Sequence, residues 1–187
     1  MIDTSSIPDE LRSTAEFRSA YADMLGKLKA PGFIEALCAH EAAHVFYYEL
    51  IAPIVYEPLK PELRYDGQAR RYEGHVAALN ITEYPMFLGG SVQDVVTWFG
   101  KVMQAKVAGG VVGRKLFPSS DGGDVGDKRE CERFCADLRR QYPNLQIDVE
   151  ERWQQARAAV EVQIETNPLI LEIIQQKSVE LRKAFGF

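Results

Sequence analysis

The pentad His40-Glu41-Ala42-Ala43-His44 constrains this chain more than any other stretch. Residues four apart on an α-helix lie about 40° apart around its axis, so His40 and His44 can aim their imidazoles at one point. Glu41 sits about 100° round from His40. That places it near a water held by a metal and poorly for ligation, which is the arrangement of a zinc hydrolase. With three histidines in 187 residues, such a pattern arises by accident in roughly one chain in two hundred. The rival reading is an amphipathic helix whose two histidines merely share a face. Three features favour the metal. Ala39, Ala42 and Ala43 form helix and leave room; Phe33, Ile34, Leu37, Val45, Phe46 and Leu50 are apolar; Pro31-Gly32 marks a helix start. Charge inside such a helix is costly unless a metal or partner satisfies it.

The rest of the chain fits one compact domain, residues 1–187. Hydrophobic residues make up 46% and charged residues 26%, which describes an ordinary soluble globular chain and excludes disorder. A net charge of −5 argues against nucleic acid or an anionic membrane as partner. The sequence has neither the pattern of a signal peptide nor an apolar run of membrane-span length, so a cytoplasmic location is expected. Cys38, Cys131 and Cys135 are too few, and odd in number, for a disulfide framework. Cys131 and Cys135 are four apart on an expected helix, but two thiols without a second pair point to packing.

Apolar periodicity predicts a leading helix from Pro8 to Lys29, then the motif helix. Ile51–Tyr56 and Arg71–Ile81 are β-branched or alternating, with turns at Pro58, Pro61, Asp66 and Gly67 between them. They predict a small antiparallel sheet. Ser91 with Asp94 has the form of a capping box, opening a long helix that can bend at Gly109-Gly110. Pro118–Gly126 reads as a polar loop, and a helix begins at Asp127. Two more follow, from about Val149 to Glu165 and from Pro168 to Phe185. The expected class is α+β, mainly α-helical: a zincin-like helix pair carrying the metal, with a small antiparallel sheet beside it.

A catalytic zinc normally takes three protein ligands and leaves a fourth position for water. His40 and His44 supply two. Glu49 on the same helix, His75, Asp121, Asp124 and Asp127 remain as candidates for the third.

The stretch CAHEAAHVF resembles the helix of the FtsH-type peptidase domain that carries HEAGHA. AGGVVGRKLF resembles that family's LGGRAAEELVF helix, and the Gly-rich loop followed by GDKRECER resembles its STGASNDLERAT stretch. The resemblance covers residues 33–142 and leaves 149–187 as additional C-terminal helices. It implies Asp127 as the third zinc (Zn2+) ligand, and a carboxylate in a first helical turn is also favoured by the helix dipole. It implies an edge strand, matched loosely by Gly74–Ala78, alongside which an extended substrate pairs through its backbone. His75 would then face the cleft and polarise the scissile carbonyl, or else be a plain surface histidine. Ala43 stands where the family usually has Gly, and Gly126 where it has Asn or Ser. No P-loop pattern occurs, so the family's ATP-driven unfolding module has no counterpart in these residues.

The expected function is a zinc metallopeptidase with Glu41 as general base, acting on peptides or unfolded segments, with a separate ATPase or a homo-oligomer as compatible partners. The alternatives are a zinc hydrolase of a non-peptide amide or small molecule, a non-catalytic module with a structural zinc, and a metal-free helical scaffold.

Overall fold

The structure, a computed structural model, describes residues 7–51, 61–66, 71–76, 91–120 and 123–184. The expected leading helix is two: α1 (Asp9–Arg12) and α2 (Ala15–Leu28). The hydroxyl of Thr14 makes the break. It donates to the Leu11 carbonyl at 2.7 Å and accepts from the Phe17 amide at 3.2 Å, closing one helix and capping the next. Phe17 and Met24 of α2 build a small satellite core with Tyr21, Leu28 and Phe33.

The motif helix α3 spans Phe33–Ile51, entered through Gly32 at φ 78°, where a Cβ would be strained. It is followed by strands β1 (Pro61–Asp66) and β2 (Arg71–Val76), then by helix α4 (Val92–Leu116). The remaining helices are α5 (Asp124–Gln141), α6 (Val149–Thr166) and α7 (Leu169–Ala184). The Ser91–Asp94 capping box is formed: the Asp94 amide donates to Ser91 Oγ, and its carboxylate accepts from the Ser91 amide, both at 3.2 Å. Helix α4 runs unbroken through Gly109-Gly110.

Helix α4 is the axis of the fold. Its residues from Val102 to Gly113 are almost all buried, and it packs on α3, α5 and α6. The motif helix lies between α4 on one side and α7 on the other. Small side chains permit this: Ala39, Ala42 and Ala43 are fully covered, so two helices close on α3 from different directions. One core joins Phe99, Met103 and Val107 of α4 with Leu138 of α5, Val160 and Ile164 of α6, and Ile174 of α7. The C-terminal helices are thus part of the wall around the motif helix. Ion pairs Lys177–Glu49 (2.9 Å) and Arg182–Glu35 (2.8 Å) trim the α3–α7 seam, and at their exposure they add little.

The expected α+β class is corrected. The fold is helical, and among the described residues the core is built from the helices and the segment before α6. What strand pairing there is among the described residues is a single two-stranded antiparallel ribbon, with Pro61 opposite Val76 and Asp66 opposite Arg71. Two strands do not make a layer that can cover a core. The partners also differ from those expected. Ile51 is the last residue of α3 and 52–60 lie outside the described residues, as do 77–81; the segment paired with 71–76 is the one whose Pro61 and Asp66 read as turns. Mainly α-helical holds; a sheet as a structural layer does not. Among the described residues no helix is long and apolar enough to cross a membrane.

Candidate metal centre

Helix α3 presents His40 and His44 one turn apart with their rings edge to face, centroids 4.5 Å apart and Nε2 atoms 2.9 Å apart. Helix α5 brings Asp127 to the same point, with Oδ2 lying 3.3 Å from each Nε2. This helix starts at Asp124, three residues earlier than the sequence suggested, because Gly123 at φ 69° turns the chain into it. Asp127 therefore sits at the end of the first turn, where helix N-terminal dipoles still favour a carboxylate.

The three residues fit a zinc ion. Ligands at about 2.05 Å in a tetrahedron stand about 3.3 Å from one another. Both carboxylate–imidazole distances have that value, and the ligand atoms of all three residues fall within 4.8 Å of one another. The ring orientation is also right: a carbonyl can only accept, so the contact of His44 Nδ1 with the Ala105 carbonyl at 2.7 Å puts a proton on Nδ1 and turns Nε2 to the shared point.

Glycines of α4 make room for the rings. A Cβ on Gly109 would stand 2.7 Å from atoms of both His40 and His44, closer than side chains approach. One on Gly110 would fall on the Asp124 carboxylate. The rings lie directly against helix backbone.

Charge is concentrated here. Burial lowers the His40 pKa, but its hydrogen bond with Asp127 and the charges of Glu41, Asp127 and Asp124 outweigh this and raise it from 6.5 to about 9. Burial pushes Asp127 up, and His44, His40 and Lys106 together overcome it, holding the carboxyl well below the usual carboxylate range. Lys106, only 8% exposed, is kept charged against burial by Tyr48, Asp127 and Glu130. Its Nζ lies 3.3 Å from Asp127 Oδ1 and also pairs with Glu130.

The other candidates are placed as follows. Glu41 is 3% exposed on α3, one position on from His40. Asp124 turns away to pair with Arg114 at 2.7 Å and sits against Gly110; it influences His40 by charge and is not in the cluster. His75 is on β2 opposite Glu62, and Asp121 lies outside the described residues. Glu49 belongs to the α3–α7 seam. Cys131 and Cys135 are buried core residues, and burial pushes the Cys131 thiol up to about 12.

Sequence reasoning overlooked the contribution of α4: the Ala105 carbonyl, Lys106 and the space at Gly109. One signal was there, a lone lysine within the apolar run VMQAKVAGGVV. Comparison with protein families, curated proteins and solved structures found no match to this chain.

Proposed function

We propose that this chain is a zinc-dependent metallopeptidase, with His40, His44 and Asp127 as the metal ligands and Glu41 as the general base. The observation that carries this reading is the convergence of two Nε2 atoms, 2.9 Å apart, and one carboxylate oxygen 3.3 Å from each, with a buried glutamate on the same helix. A zinc ion held by these three residues would supply a Lewis acid able to make water a nucleophile near neutral pH. Glu41 takes the proton from the attacking water and returns it to the departing amine. Its burial keeps bulk water from screening that transfer. His44 is held in ligating orientation by Ala105, so little reorganisation accompanies metal uptake.

A peptide is favoured over a small amide because β2 approaches α3. A strand beside the motif helix offers backbone pairing to an extended chain, without demanding a particular sequence. The order of motif helix, Gly-Gly helix and aspartate-bearing helix also supports kinship with the FtsH-type peptidase domain. Its substrates are then peptides or unfolded segments, delivered freely or by a separate ATPase. Three unpaired buried cysteines suit a reducing compartment such as the cytoplasm.

The test is paired metal analysis and cleavage of an unstructured polypeptide. Wild type should carry about one zinc per chain and cleave in a chelator-sensitive way. Glu41→Gln should keep the zinc and lose cleavage; unchanged turnover in that variant removes Glu41 from the mechanism. Zinc without cleavage of any unstructured substrate would instead favour a small-molecule hydrolase or a non-catalytic module.

A further inference from the structure

Lys106 is a buried cation about as close to the third ligand as the two histidines are. Its Nζ is 3.3 Å from Asp127 Oδ1, while Asp127 Oδ2 is 3.3 Å from each imidazole nitrogen. The carboxylate is thus divided, one oxygen turned to the site and the other to the ammonium. The lysine is 8% exposed and bound also by Glu130, which lies three residues after Asp127 on α5, so it is braced from two points of one helix. The residue before it, Ala105, supplies the carbonyl that fixes His44. Two consecutive residues of α4 therefore hold two of the three ligands.

We propose that Lys106 is a positioning residue that keeps Asp127 a one-oxygen ligand and so keeps a coordination position open; the inference rests on the metal-site reading above. A carboxylate with both oxygens free can chelate a metal and fill the place that water or a substrate carbonyl needs. An ammonium on Oδ1 blocks that second bond. It also draws charge from the carboxylate, which leaves the metal a stronger Lewis acid. A neutral side chain of similar length would fill the space and do neither.

The probe is Co2+ in place of zinc, with its visible spectrum as the readout, since four-coordinate cobalt absorbs intensely and five-coordinate cobalt weakly. Wild type should give the intense bands, Lys106→Met should lose them in favour of the weak pattern while still binding one cobalt, and Lys106→Arg should restore them. Circular dichroism confirms that each variant is folded. If Lys106→Met does not fold, X-ray absorption on the zinc-loaded wild type decides: one carboxylate oxygen in the first coordination sphere supports the inference, and two at equal distance overturn it. Wild-type protein that takes up no cobalt or zinc overturns the proposed function, and this inference with it. Wild type that binds cobalt, with an identical spectrum from Lys106→Met, overturns this inference alone.

Discussion

His44 and Ala105 stand 61 positions apart in sequence, and 2.7 Å separates the imidazole Nδ1 from the carbonyl oxygen that accepts its proton. The bond ties the motif helix to α4 and decides which nitrogen of His44 is free. Side-chain substitution at Ala105 cannot remove a backbone carbonyl, so His44 is oriented by the fold itself.

Alanine at two glycines of α4 should have opposite effects. At Gly100 nothing lies within 4 Å of the place a methyl would take, so Gly100→Ala should stabilise by about 0.5–1 kcal/mol through helix propensity. Gly109→Ala drives a methyl into both imidazoles and should destabilise by about 1–3 kcal/mol and abolish stoichiometric zinc binding. Thermal unfolding with metal analysis on both variants checks this. A stabilised, zinc-binding Gly109→Ala would mean that the rings do not lie against the backbone there.

The two acidic candidates on α5 separate cleanly. Asp127→Asn should lose zinc and, in the metal-free state, destabilise by about 3 kcal/mol, since it leaves Lys106 short of a partner in a largely buried site. Asp124→Asn should retain zinc, because that carboxylate faces Arg114 and Gly110. Zinc lost from the second and kept in the first would transfer the ligand role to Asp124.

Metal uptake should depend on pH through His40. Its proton is held up to about 9 in the folded metal-free chain and must leave before Nε2 can ligate. Apparent zinc affinity should therefore rise about tenfold per pH unit below that value and level off above it. The metal-free protein should show the opposite trend in stability. The raised pKa contributes stability fully present below 6.5, and it is lost as pH climbs through about 9. Chelator competition and denaturant titrations across pH 6 to 10 measure both; an affinity flat over that range would remove the proton from His40.

The C-terminal helices should prove necessary to the site. Ile174 is fully buried against the shared core, and Ile174→Ala should cost about 2–5 kcal/mol. Equilibrium unfolding measures this, and a cost under about 0.5 kcal/mol would show that α7 does not pack on the motif helix as described.

The legible parts of the fold were those written locally. The Ser91–Asp94 box and the Asn167-Pro168 break each lie within about one turn, and the apolar stripe of α4 repeats from turn to turn, so their elements could be read within a residue or two. The His40–His44 pair is local in the same sense. Asp127 was reached through a family resemblance; the helix that opens after Gly123 carries it to the histidines and Asp124 to Arg114, a long-range choice that local sequence does not record. Thr14 broke the leading helix through a side-chain bond that periodicity does not register. The ribbon was assigned a wrong partner because Pro61 and Asp66 carry turn propensity, and cross-strand register is a non-local choice. Lys106 was missed because a lysine normally implies water, and its two carboxylate partners come from another helix.

The ligand helices α3 and α5 are both seated on α4. A third helix therefore supports both, and at Gly109 the surface on which the imidazoles rest is bare main chain. How closely His40 and His44 can settle is thus limited by a segment that lends no side chain to the cluster. A substitution scan confined to His40, His44 and Asp127 would overlook the backbone on which the two rings rest.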